Sequence, residues 1–435
     1  MGLIIFHPSF FISSEPSCIF AHRPPNQNTD NMKKQFIITL MVTGMVFFLS
    51  HNVLAQEATD TVQKPGYKFT TEISLPATPV KNQASTGTCW CFATVSFIES
   101  ELLRMGKGEH DLSEMFIVRH NYVNRMRDNY LRRGNGNLSQ GSLSHNAMNA
   151  IREHGLVPDE AYTGINYDSD RHNHRELNQF VGAIGQVAVD LRKESPEYKE
   201  LVNSLLDIYL GPVPESFTYR EKTYTSKSFF ESLEFNPDDY VEITSFNHFP
   251  YYTTFPLEVP DNWAHGQFYN VPLDELIEIM DHSLENGYTV NWDGDVSEKG
   301  FSHKNGVAIN PDVEAPADTY STTDRARFES MTPTEKLEEV YKFEAPFPEI
   351  AVDQEIRQRG YENFTTTDDH LMHVTGITRD QNGTKYYITK NSWGTERNTF
   401  GGYLNMSESF VRAKTIFIMV HKDAIPRDIK RKLGL

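Results

Sequence analysis

Cysteine is almost missing from this chain. Three occur in 435 residues, Cys18, Cys89 and Cys91. The last two stand two apart at the start of a helical pattern, so their side chains diverge and cannot bridge each other. A disulfide framework is excluded, and the protein must be held by its core alone. Positive charge is also scarce: 41 Lys and Arg face 59 Asp and Glu, a formal net charge of −18. That balance argues against non-specific binding of nucleic acid. Long apolar runs are absent as well. The longest, Phe36 to Leu49, is shorter than the roughly 18 residues that mark a membrane span. The 16 histidines are scattered without metal-ligand spacing, and no internal repeat is visible, so no cofactor is expected. What remains, 38% hydrophobic and 23% charged residues, is ordinary globular composition, long enough for one large core or two to three domains.

The N-terminal stretch carries an address. Met32-Lys33-Lys34, the apolar run and Val53-Leu54-Ala55 before Gln56 make the charged, apolar and small-residue regions of a secretory signal peptide. The alternative is an uncleaved anchor. On the first reading, residues 1–31 are a non-native extension, 32–55 the signal peptide and 56–75 a short polar mature segment. The mature chain then begins at Gln56 outside the cytoplasm, in a bacterial periplasm.

The chemistry concentrates between Pro79 and Ala93. A polar loop runs into a helical pattern in which Cys91, Val95, Ile98 and Leu102 form an apolar stripe. Cys91 belongs to that stripe and reads as core. Cys89 lies about 200° round a helix of 3.6 residues per turn and faces away from it. It falls in the first turn, where free N–H groups and the helix dipole favour an anion. That placement is expected to lower the thiol pKa and supply a thiolate near neutral pH. Cys89 is the candidate nucleophile.

A thiol nucleophile needs a histidine and a group to orient it. The strand pattern Asp368 to Ile377, a turn at Arg379-Asp380-Gln381-Asn382-Gly383 and the return run Lys385 to Lys390 form a hairpin. With the turn centred near position 381, His370 comes almost opposite Asn391, and such partners have Cβ atoms roughly 5 Å apart. His373 would face Thr389 and, by alternation, the other side of the strand. The hairpin therefore selects His370 and Asn391.

Both segments resemble the papain-like cysteine peptidases. Gln83, Gly87, Cys89, Trp90 and Phe92 match the loop that opens the family's central helix; His370 with Gly376, and Asn391-Ser392-Trp393-Gly394, match its second half. The resemblance implies an α+β, two-lobed fold with peptide substrates lying between the lobes. It implies that Cys89 attacks, that His370 shuttles the proton, that Asn391 holds the imidazole and that Trp393 shields that bond. Gln83 would donate to the oxyanion together with the Cys89 N–H. Trp90, Gln140, Gly141 and Trp393 would touch substrate, although Gln140-Gly141 reads equally as the loop before a helix. Thr86 stands where the family's common disulfide cysteine would be, and Cys89 and His370 are 281 positions apart, beyond the usual ~130–150. These departures resemble the bleomycin hydrolase/aminopeptidase C branch, as do Thr366-Thr367-Asp368-Asp369 before the histidine, Val271-Pro272-Leu273-Asp274 and Gly294-Asp295-Val296.

That branch implies an aminopeptidase, a homohexamer, and a C-terminal arm whose carboxylate, here on Leu435, lies in the cleft and pairs with the substrate's α-ammonium. A solvated tail is the alternative. The expected layout is a helical lobe at 76–169, an insertion at 170–265, a β-rich lobe at 266–420 and the arm at 421–435. Within it, residues 303–335 read as an exposed irregular excursion, and only about twenty residues precede the peptidase domain, too few for an inhibitory prodomain. An endopeptidase would share every one of these residues. A transglutaminase-type acyltransferase would normally carry Asp in place of Asn391, and an inactive binding scaffold would not keep all four positions filled.

Overall fold

The apolar stripe that begins at Cys91 forms helix α1 (Cys89–Arg104), and the rest is arranged around it. The computed structural model describes residues 66–316 and 322–435, so the N-terminal extension, the signal segment and Cys18 fall outside the described residues. Two helices pack on α1, α2 (Glu114–Leu131) and α3 (Ser144–His154). Ser113 caps α2 by accepting from the Phe116 N–H, a cap worth about 1 kcal/mol. Helices α4 (Arg175–Leu191) and α5 (Pro196–Leu210) extend this helical side.

The β side is one mixed sheet. Its main strands are β1 (Tyr240–Thr244), β2 (Gln267–Asn270), β3 (Val290–Gly294), β4 (His370–Arg379), β5 (Lys385–Lys390), β6 (Tyr403–Ser407) and β7 (Thr415–His421), in the order β2–β1–β7–β3–β4–β5–β6. Since β1 sits beside β7 in this sheet, the stretch expected to be an insertion at 170–265 is helical only in its first part; from Tyr240 it joins the β lobe.

Alternation divides the sheet. Leu371, Phe417 and Met419 point toward α1, while Trp292, Met372, Val374 and Ile418 point to the opposite face. That second face is covered by α6 (Leu273–Glu285) and by α7 (Arg427–Leu433), which buries Ile429 and Leu433 there. A third cluster, with Val307, Ile309, Phe328, Val340 and Phe347, lies around Tyr386. The stretch 303–335 is thus partly a small core of its own and not simply an exposed excursion; apolar residues spaced too far apart for one period still converge in three dimensions.

The hairpin register also departs from expectation. Arg379 pairs with Lys385, centring the turn at Asn382, and a bulge between Val374 and Gly376 shifts the ladder again. His373 therefore faces Lys390, not Thr389. His370 and Asn391 are not ladder partners at all: β5 ends at Lys390, and Asn391 reaches the imidazole from just beyond the strand.

Candidate active site

The first half of the site is a helix start. Cys89 is the first residue of α1, half-buried, with a free thiol and no acidic residue in its own turn. The backbone of Leu371, the residue after His370, acts on its thiol, so helix and strand meet at this cysteine. Cys91 is buried, and its thiol donates to the Glu114 carbonyl at 3.3 Å.

The second half is fixed from behind. His370 is buried and its Nε2 donates to Asn391 Oδ1 at 2.8 Å. The Trp393 ring lies over the imidazole, with centroids 4.7 Å apart. That bond assigns the proton to Nε2, leaving the Nδ1 lone pair as the base. Asn391 follows Lys390, whose buried ammonium donates to Ser96 Oγ at 2.7 Å and Thr78 Oγ1 at 3.1 Å. His373 lies on that other side of the strand, its Nδ1 2.9 Å from Ser96 Oγ.

Two loops are laced together to set Gln83. Its backbone N–H donates to the Ser392 carbonyl at 2.8 Å, and its Oε1 accepts from Ser392 Oγ at 2.6 Å. Nε2 gives one proton to the Thr86 carbonyl at 2.8 Å and has a second to give. Ser392 had only its place in the motif to point to it.

Several expected contacts are revised. Trp90 is 0% exposed and its indole N–H donates to the Gln140 carbonyl at 3.0 Å, so it anchors a loop instead of touching substrate. Gln140 also accepts from the Gly87 N–H through Oε1 at 2.9 Å, which ties it to the nucleophile loop. Gly141 is half-buried, and a Cβ there would meet Asp261 Oδ2 at 1.8 Å. Trp393 is half-buried against His370 and His303. His303, for which the sequence gives no signal, approaches Asn391 Nδ2 with its Nδ1 at 3.3 Å.

Leu435 is not at the cleft. Its N–H donates to the Lys430 carbonyl, Leu433 is buried on the sheet face opposite α1, and Lys432 pairs with Glu275 of α6 at 2.7 Å. Two apolar residues at i and i+4 gave the arm a helical face to bury, and burial of such side chains is worth about 1.5–3 kcal/mol each.

The surroundings of Cys89 act against the expected fall in its pKa. Burial pushes the Cys89 thiol up to about 12, and the carboxylates of Asp293, Asp368 and Asp261 push the same way against the Leu371 backbone. Burial also takes the His370 imidazole down to about 4, despite Asn391 and with help from His303.

Comparison with known proteins follows this division of the site. The family model described as papain family cysteine protease matches residues 70–243, and that of the peptidase C1-like family matches 333–434. Aminopeptidase G of Lactobacillus delbrueckii subsp. lactis is 22% identical, covering 84% of this chain and 85% of its own. Aminopeptidase C of Streptococcus thermophilus is 23% identical, covering 86% and 87%. The crystal structure of PepW from Lactobacillus rhamnosis superposes with a TM-score of 0.61 at 17% identity, covering 94% of this chain and 95% of that one, and shares the fold. Cys89 lies in one matched stretch and His370 and Asn391 in the other, and the chain is a cysteine peptidase similar to the papain family and to aminopeptidases C and G.

Proposed function

We propose that this cysteine peptidase is an aminopeptidase working outside the cytoplasm, with Cys89 as nucleophile, His370 as proton shuttle, Asn391 as its holder and Gln83 as oxyanion donor. The observation that carries the roles is the 2.8 Å bond from His370 Nε2 to Asn391 Oδ1, which leaves Nδ1 for the thiol. Sγ attacks the scissile carbonyl while its proton passes to Nδ1. The oxyanion receives the Cys89 N–H and the second Gln83 amide proton. His370 then protonates the leaving amine as the C–N bond breaks, giving a thioester. Water attacks next, its proton taken by Nδ1, and the acid departs. The relatives' names support exopeptidase action and the Met32–Ala55 pattern supports export; a homo-oligomer rests on the resemblance alone.

The test is a pair of coumarylamide peptides that differ only in N-acetylation. The unblocked peptide is expected to turn over at least tenfold faster, about 1.4 kcal/mol; equal rates, with internal cleavage of blocked peptides, would establish an endopeptidase. A separate expectation concerns the arm. Since α7 packs on the far face of the sheet, deleting Lys432–Leu435 should leave the preference for a free amino terminus unchanged. It should lower unfolding stability by about 1–3 kcal/mol through loss of Leu433, read from the urea midpoint. A truncated enzyme that accepted blocked peptides would restore the arm to the cleft.

A further inference from the structure

Carboxyls crowd the nucleophile from three separate segments. Asp293 of β3 is the cross-strand partner of Leu371, whose backbone lies beside Cys89. Alternation sets its direction: Trp292 packs on the α6 side, so Asn291 and Asp293 face α1. Asn291 shows this directly, since its Nδ2 donates to Thr94 Oγ1 at 2.9 Å. Asp293, two residues further along the strand, then stands at the N-terminal end of α1. It is 0% exposed, and no donor among the described residues reaches either of its oxygens. A second carboxyl, that of Asp368, acts on it electrostatically, and Asp368 Oδ2 is likewise buried without a donor. Asp261 lies over Gly141, held by Asn137 Nδ2 at 3.0 Å and Ser139 Oγ at 3.3 Å.

A buried carboxyl whose oxygens lack a donor is costly unless it is neutral or meets a partner. Such a group beside a reactive residue is expected to meet its partner in a ligand. The side of the cleft follows from the sheet order. Asn391 and Trp393 follow β5, on one side of β4, and the leaving amine departs toward the imidazole they hold. Asp293 is on β3, on the other side, where the acyl half of the substrate must lie.

We propose that Asp293, with Asp368 and Asp261, forms a carboxyl-lined subsite that binds a positively charged group, an ammonium or guanidinium, on the N-terminal side of the scissile bond. The inference rests on Cys89 being the nucleophile. The cation can come from the substrate's own amino terminus or from a Lys or Arg side chain, and the arms of the test separate these.

Three coumarylamides serve as probes: unblocked Ala-Ala, N-acetyl-Ala-Ala and N-acetyl-Lys-Ala. The full-length enzyme, counted by epoxide titration of Cys89, is expected to favour at least one cationic probe over the neutral one by roughly 10- to 100-fold in kcat/KM, the range of a buried charge contact. Preference for the unblocked probe assigns the α-ammonium; preference for the lysyl probe assigns a side chain. Asp293→Asn should collapse that ratio at least about tenfold. Asp261→Asn, at the more accessible rim, provides the same reading should the buried variant fail to fold. A wild-type ratio near one, or a ratio unchanged in the variants, overturns the subsite. Absence of epoxide labelling and of turnover on all three probes in the wild type would instead overturn the role of Cys89.

Discussion

Replacing Cys89 by Ala is expected to reduce hydrolysis by roughly 10⁵- to 10⁶-fold, the scale seen when a covalent nucleophile is removed from its catalytic unit. No neighbouring group can substitute for it. Cys91 is buried with its thiol on the Glu114 carbonyl, on the far side of α1 from the imidazole. The same substitution should barely touch the fold, because Cys89 is half-buried at the first position of α1 and lies off its apolar stripe. Its effect on stability should stay within about 0.5 kcal/mol, as for substitutions away from core features. Cys91→Ala should do the reverse: it opens a small void and frees a buried carbonyl, at about 1–2 kcal/mol, while turnover per folded site persists. Turnover by numbered active sites and urea midpoints for both variants decide this. Retained hydrolysis in Cys89→Ala would remove the assignment.

The parts of the site that could be read from the chain are those that are local. Cys89 and Cys91 separate because a helical period needs only a few residues to declare itself. Gln83 and Asn391-Ser392-Trp393-Gly394 stand out as short segments. The hairpin was read on the right residues but in the wrong register: it took Gln381 as the centre of the turn and could not foresee the bulge at Thr375. His370 still met Asn391, because Asn391 lies beyond the ladder and is free of its register. What could not be read is convergence. Asp261, Asp293 and Asp368 are more than thirty residues apart in sequence, and each alone resembles any surface carboxylate. Their burial around Cys89, which acts against the expected fall in its pKa, exists only once β3, β4 and the 259–266 loop are side by side. The arm failed for a related reason. Ile429 and Leu433 were visible, but not the apolar face of α6 and the sheet that receives them.

The second large effect is expected at His370. His370→Ala should lower kcat by about 10²–10⁴-fold or more, the range for loss of a positioned acid–base group, because a thiol held near 12 has no other base to take its proton. His373→Ala should cost activity no more than about tenfold, within the range of an indirect packing effect, since its imidazole faces Ser96 and the edge of Phe97 on the α1 side of β4. The wild-type pH profile gives a second readout. The groups facing the dyad are Asn391, His303 and the carboxyls of Asp261, Asp293 and Asp368. A lowered imidazole pKa means that the base is neutral above about 4 and is lost to protonation only as pH falls through that value. With the neutral N-acetyl-Ala-Ala probe, the acid limb of kcat/KM should therefore lie near pH 4, well below the unperturbed histidine value of about 6.5. An acid limb near 6.5 would mean that the imidazole is far more open to water than its burial between Trp393 and Asn391 allows, and loss of activity in His373→Ala but not in His370→Ala would reassign the base.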